Sequence, residues 1–297
     1  VELFKGKSHF GENVTFDETL PTNYLADEVI DDNKVNELLA KKYNETIVIA
    51  EDDSEILAYL KDELSTNFRV IAVNNGYDAV KAVMDDEVSL ILSDVLMPAL
   101  NGFQLCSNIK SNIATCHIPI VLLTALSDDN QRIYGIAEGA DEYIHKPFNM
   151  QYVRLKIIRI IEERKRLAST FAQKFGRLTR HEAANLPCVD DVFRDKLFNL
   201  IEAQHSDSNF KIELMSDMLG MSRILLYRKI TSIFGMSPSD LLRNYRLQKA
   251  VQLLTDQRRN VSEVAYIVGF SSPAYFAKCF KSVYNMTPTE YMYRTRE

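Results

Sequence analysis

Between Thr46 and Lys146 the chain repeats one pattern five times: a short apolar run rich in β-branched residues, then a longer stretch with apolar residues on one helical face. The runs are TIVIA (46–50), FRVIAV (68–73), SLILS (89–93), IPIVLLT (118–124) and EYIHK (142–146). Amphipathic stretches at Ser54–Leu64, Asp78–Met84, Phe103–Ile113 and Asp128–Glu138 separate them, and the segment from Phe148 adds a fifth that runs on to about Phe175. Runs that are apolar throughout, rather than alternating, belong to strands buried on both faces. Parallel strands, unlike hairpins, need a crossover of a dozen or more residues between them. The pattern therefore predicts an α/β unit: a five-stranded parallel, doubly wound sheet with helices on both sides.

From residue 190 onward no stretch reads as a strand, and a second regularity takes over. IELMSDMLGMS (Ile212–Ser222) matches VSEVAYIVGFS (Val261–Ser271) at an offset of 49. After the turn the offset becomes 50: Leu226 matches Phe276, Arg228 matches Lys278, and MSPSD (236–240) matches MTPTE (286–290). Each copy reads helix, glycine turn, helix, followed by a helix start with Ser237 or Thr287 as N-cap, proline next, and Asp240 or Glu290 at the third helical position. The expected fold of this half is all-α with two helix-turn-helix units.

Charge divides the chain in the same place. Residues 1–150 hold 11 basic against 26 acidic residues, and residues 151–297 hold 24 against 15. A basic half can meet a polyanion, while the acidic half calls for another task. No run of 18 apolar residues occurs, so no membrane span is expected. The four cysteines, Cys106, Cys116, Cys188 and Cys279, form no CxxC or His/Cys cluster. They predict neither zinc nor disulfides, and a reducing cytoplasm.

In a parallel sheet, ligands bind at the carboxyl ends of the strands, near the point where strand order reverses. After the first strand stand Glu51, Asp52 and Asp53; after the third, Asp94; after the fourth, Thr124; after the fifth, Lys146 and Pro147. Clustered carboxylates suit a hard divalent cation such as Mg²⁺. An aspartate among them can act as nucleophile, and a lysine and a hydroxyl can neutralise and position the oxygens of a transferred phosphoryl group. His117 and His145 are read as non-catalytic, because alternation along the last strand turns His145 away from the face Lys146 occupies.

The strings IAEDD, SDVLMPALNG, LLTA and YIHKPF carry a resemblance over residues 45–165 to the receiver domain of response regulators, a flavodoxin-like fold. The resemblance implies Asp94 as phosphoacceptor and Mg²⁺ on Glu51, Asp52, Asp94 and the backbone carbonyl of Leu96. It implies phosphoryl contacts from Thr124 and Lys146, Tyr143 as the switch aromatic, and a cis Lys146–Pro147 bond. Asp53 fits a helix N-cap. In this family the residues two past the phosphoacceptor and two past the threonine govern water access. Here both are leucines, Leu96 and Leu126, and slow self-dephosphorylation is expected.

In the second half, Leu226, Ile230 and Phe234 of the first copy and Phe276, Phe280 and Tyr284 of the second share a helical face and should be core. Ser222, Arg223, Tyr227 and Arg228, and in the second copy Ser272, Ala274 and Lys278, lie outward as candidate contacts to double-stranded DNA. LGMSRILLYRKI, RLQKAVQLL, VSEVAYIVGFSSPAYFAKCFK and MTPTEYMYR give residues 190–297 a resemblance to AraC-type DNA-binding domains. That family joins its two units by a long helix, here about Pro238–Thr255, and sends two recognition helices into successive major-groove turns.

The combined expectation is a two-component transcription regulator and not an enzyme. A histidine kinase donates the phosphoryl group to Asp94, the face around Thr124 and Tyr143 rearranges, and a homodimer forms or the DNA-binding half is released. RNA polymerase is a further candidate partner. The charge asymmetry permits the acidic receiver to mask the basic reader at rest, and the sequence does not decide whether it does. VELFKGKSHF (1–10) resembles the last strand of a kinase ATP-binding domain. Residues 11–44 then read as an acidic linker and 166–189 as a helical, basic one. The whole would be the cytoplasmic, C-terminal part of a hybrid sensor anchored in the inner membrane. The rival readings are a phosphate sink and an aspartate-nucleophile phosphatase. Leu96 speaks against the phosphatase, which would need a second aspartate there as general acid.

Overall fold

In the computed structural model the described residues are 32–124, 139–175, 190–256 and 259–294. The strand read at 1–10, the helix at 128–138, Leu126 and Cys188 lie outside them. Helix α1 (Asp32–Ala40) leads into β1 (Thr46–Ala50), α2 (Ser54–Ser65), β2 (Arg69–Val73), α3 (Gly76–Asp85), β3 (Leu90–Asp94), α4 (Gly102–Ser111), β4 (Ile120–Thr124) and β5 (Glu142–His145). The sheet is parallel throughout, in the order β2-β1-β3-β4-β5. Every residue of β1, β3 and β4 is buried, the reason their sequences are apolar without alternation. Alternate residues serve two cores. Ile47, Ile49, Leu92 and Leu123 face α2 and the first half of α5 (Met150–Phe175), whereas Val48, Ile91 and Leu122 face α3 and α4.

Order reverses between β1 and β3, so the carboxyl ends of those strands open a crevice there. Gly102 shapes one wall: a Cβ on it would lie 2.4 Å from the backbone oxygen of Asp94. Only glycine lets α4 start so close to the end of β3.

The long helix α5 takes in residues 166–175, the helical start of the stretch read as a linker, and the rest of that stretch, 176–189, lies outside the described residues. The first half of the helix carries Val153, Ile157 and Ile161 in the sheet core. Its last turns carry Ala168, Phe171 and Phe175, all buried; Phe171 and Phe175 join the core of the second half with Phe198, Phe234 and Tyr245. Full burial of a phenylalanine contributes about 1.5–3 kcal/mol, so this end of α5 belongs to the domain it reaches.

That second half is helical among the described residues: α6 (Asp191–Gln204), α7 (Ile212–Leu219), α8 (Arg223–Phe234), α9 (Pro238–Thr255), α10 (Val261–Ile267), α11 (Pro273–Tyr284) and α12 (Pro288–Arg294). The repeat appears as matching caps. Gly220 and Gly269 turn with φ +66° and +90°, and Gly235 and Asn285 end α8 and α11 with φ +65° and +58°. Ser237 accepts from the Asp240 amide at 3.1 Å, and Thr287 from the Glu290 amide at 3.2 Å. Helix α9 spans both units. Leu241, Leu242 and Tyr245 lie in the first core, and Leu247, Ala250 and Leu254 in the second. Leu226, Ile230, Phe234, Phe276 and Phe280 are fully buried as expected, while Tyr284 is only partly so.

Candidate functional site

Strand β1 delivers Glu51, buried, and Asp52, exposed, at its carboxyl end, and β3 delivers buried Asp94 beside them. One carboxylate oxygen of each lies within 4.8 Å of the other two. Asp53, the next residue, is used differently. It caps α2 by accepting from the amides of Glu55 at 2.9 Å and Ile56 at 3.2 Å, which holds the acidic turn in place.

Lys146 reaches the cluster from the end of β5, donating to Glu51 Oε2 at 2.9 Å and lying 3.0 Å from Asp94 Oδ2. The Lys146–Pro147 bond is cis, as the resemblance implied. The Lys146 amide donates to the Thr124 carbonyl at 2.7 Å, which ties the lysine to the end of β4. By register Asp94 stands opposite Leu123, so buried Thr124 lies one residue beyond it. Tyr143 of β5 pairs with Leu122 of β4 and is half-buried.

The electrostatics follow from three acids meeting one ammonium. Burial pushes the Glu51 carboxyl up to about 7; the hydrogen bond from Lys146 works against the rise, and the charge of Asp94 adds to it. Burial works against the Lys146 charge, yet its hydrogen bond to Glu51 and the Asp94 carboxylate hold its pKa above the usual lysine value. The Val95 amide donates to Asp94 Oδ1 at 2.8 Å, so this carboxylate is fixed from two sides. Oxygen donors this close, with negative charge left over, match the ligand preference of a small hard dication. Leu96, two residues past Asp94, is 53% exposed.

The two histidines stand away from this cluster. His145 is exposed. His117 is buried at the opposite, amino-terminal end of β4. Burial, with the charges of Lys229 and Arg164, drives its pKa down to about 3.

The outward residues of the repeat divide by copy. Ser222 and Ser272 are N-caps, accepting from the amides of Leu225 and Tyr275, each at 3.3 Å. Arg223 is exposed, paired loosely with Glu213 at 3.4 Å, and Tyr227 is 49% exposed. In the second copy Ala274 and Lys278 are exposed. Arg228 departs from the expectation of an outward, solvent-facing side chain. Its guanidinium donates to the carbonyls of Asp85 at 2.8 Å, Asp86 at 2.9 Å and Met84 at 3.3 Å, at the end of α3.

Lys229, beside it, was not singled out from sequence. It is fully buried, its ammonium 2.6 Å from Asp190 Oδ2, bonded to the Ile113 carbonyl, 3.1 Å from Cys116 Sγ and 4.5 Å from the Phe193 ring centroid. Its signal was present: it falls between Leu226 and Ile233 on the apolar face of α8, a place where a lysine needs a buried partner.

Comparison with known proteins reproduces both halves. Residues 47–158 match the family model described as response regulator receiver domain, and residues 215–294 one described as helix-turn-helix domain. The chain is 37% identical over 280 residues to Histidine kinase P4 of Formosa agariphila, covering 94% of this chain and 20% of that protein. It is 38% identical over 113 residues to the transcriptional regulatory protein GltR of Pseudomonas aeruginosa, covering 38% of this chain and 47% of that one. The chain thus spans about a fifth of the first relative and about half of the second. Among solved structures, the signal receiver domain of a signal transduction histidine kinase from Syntrophus aciditrophicus aligns at 34% identity, over 41% of this chain and 93% of that one, with a TM-score of 0.39. No helix among the described residues is long and apolar enough to cross a membrane.

Proposed function

The chain joins a response-regulator receiver domain (47–158) to an AraC-type helix-turn-helix domain (215–294), and from that pairing we propose that it is a phosphorylation-dependent, sequence-specific DNA-binding regulator of a two-component system. One observation carries the reading: in a single chain, Asp94 is held beside two further carboxylates and Lys146 at the point of strand reversal.

Asp94 takes the phosphoryl group from a phosphohistidine. Its carboxylate oxygen forms the new P–O bond as the N–P bond breaks; the ring nitrogen keeps the bonding pair, and the imidazole leaves neutral because its other nitrogen already carries a proton. Glu51, Asp52, Asp94 and the Leu96 carbonyl would hold Mg²⁺, which when bound neutralises phosphoryl oxygens. The Lys146 ammonium, already 3.0 Å from Asp94, supplies a fixed positive charge to the same oxygens. Thr124 and Tyr143 follow the charge change and carry it to the β4–β5 face. A kinase domain, in the same polypeptide or a separate one, is the donor. The relative named as a histidine kinase, aligned over nearly the whole chain, supports that partnership. The regulator then acts on double-stranded DNA as a homodimer, with RNA polymerase as the next partner.

The chain on this reading is an acceptor, not a turnover enzyme. The position where a phosphatase of this type would place its second acid holds exposed, apolar Leu96. Incubation with acetyl phosphate and Mg²⁺ tests the acceptor role. Intact mass should rise by one phosphoryl group in the wild type and not in Asp94→Asn; equal labelling of both would reject Asp94.

A further inference from the structure

Resting on that reading of the second half as a DNA reader, we infer that the receiver holds the first of the two reading helices and leaves the second free, so that the unphosphorylated chain engages DNA through one unit only. The last carbonyls of a helix have no partner within it and carry the negative end of its dipole. On α3 these are the carbonyls that Arg228 occupies, with the Asp85, Asp86 and Glu87 side chains adding negative charge around it. The seat is wider than one residue. Leu225, Arg228 and Ser232 of α8 close a cleft against Val83, Val88 and His117 of the receiver. The next residue, Lys229, ties α8 to the receiver's Ile113 carbonyl, and the receiver's Ala114 is buried in the core of the second half.

Among the described residues none of this recurs in the second copy. Lys278 stands at the place matching Arg228 and is exposed; Cys279 matches Lys229 and is buried without charge. Ala274 and Tyr275 on the same helix are exposed as well. A guanidinium bound to three carbonyls cannot also meet a guanine edge or a phosphate. The receiver against Leu225, Arg228 and Ser232 stands in the way of one wall of a groove about 12 Å wide, so that exposed Arg223 and Tyr227 at the start of the helix are not carried fully into it. The seat lies at the amino end of β3 and Asp94 at its carboxyl end, about 16 Å away for five residues of strand. Helix α5 is the element buried in both the sheet core and the core around α8, and so the route by which a change at one end reaches the other.

The test leaves both reading helices and Asp94 untouched. Asp86→Arg with Glu87→Arg reverses two exposed charges of the seat; a matched reversal at exposed Glu37 and Asp62 controls for added positive charge. The probe is a duplex recovered from random DNA by selection with the Asp86/Glu87 variant, read by hydroxyl-radical footprinting. The unphosphorylated wild type and the control should protect one major-groove segment. The variant should protect two successive segments and bind about tenfold more tightly. Hydrogen exchange over residues 83–89 and 222–234, measured without DNA, should rise in the variant alone. Equal footprints and affinities, or unchanged exchange, would overturn the inference. If exchange rises while none of the proteins binds DNA, the seat stands and the DNA reading itself fails.

Discussion

Arg228 and Lys278 occupy matching places in the two copies of one repeat, yet the first is bound to three carbonyls of α3 and the second faces solvent. The neighbouring pair differs more. Lys229 is a buried ammonium with partners on α6 and in the receiver, and Cys279 is a small buried thiol. The copies therefore share a fold and not an environment. Repetition fixes caps, turns and core face, because those depend on residues within each unit. What the second helix of a unit is free to touch depends on what lies beside that unit, and among the described residues only the first has the receiver against it.

The largest expected effect comes from the buried charge. Lys229→Ala leaves Asp190 and the Ile113 carbonyl without their cation, and losing one partner of a buried pair costs about 3–5 kcal/mol. Cys279→Ala should cost much less, and urea unfolding of both variants measures the gap. Similar losses would mean that the two units are equivalent after all.

Next come the matching glycines. Gly220 has a positive φ and open space, so Gly220→Ala meets only left-handed strain, about 1–2 kcal/mol. At Gly269 a Cβ would also lie 2.1 Å from the His205 oxygen, and Gly269→Ala should cost distinctly more by thermal or urea unfolding.

A third effect depends on pH. His117 is buried, with Nδ1 unbonded among the described residues, and its folded pKa of about 3 lies below that of an unfolded histidine. The folded state therefore binds fewer protons. The associated stability is present above the unfolded pKa and is lost as pH falls from about 6.5 toward 3, costing about 2 kcal/mol by pH 5. His117→Gln should flatten that part of the stability profile; an unchanged slope would place the proton uptake elsewhere.

The smallest effect is on binding. Without phosphorylation, Lys278→Ala should weaken DNA binding about tenfold while Arg228→Ala leaves it level or improves it. After phosphorylation both should weaken it. Filter binding to the selected duplex separates these outcomes, and equal losses at rest would break the comparison.

Much of this architecture was legible in the residues. TIVIA, SLILS and IPIVLLT are apolar throughout because β1, β3 and β4 are buried on both faces. Acids at the ends of β1 and β3 pointed to the crevice, because a buried carboxylate needs a compensating charge, which Lys146 brings. The start of helix α9 was readable from Ser237-Pro238, and its reach to Thr255 was what the family resemblance implied. The end of α5 was less so. RKRLASTFAQKF looks solvated by its charge, and the i, i+4 pair Phe171 and Phe175 was the cue that it carries a core face. The seat of Arg228 could not be read at all. An arginine on the polar side of an isolated helix carries no mark of what another domain will place there. Its acceptors are backbone carbonyls of α3, which have no sequence signature.

The most direct test of the account is the affinity of the selected duplex for wild type and Asp94→Asn, each with and without acetyl phosphate and Mg²⁺. The account predicts that treatment tightens binding of the wild type about tenfold and leaves Asp94→Asn where it started. Equal affinity of the wild type before and after treatment, at confirmed phosphorylation of Asp94, would contradict it.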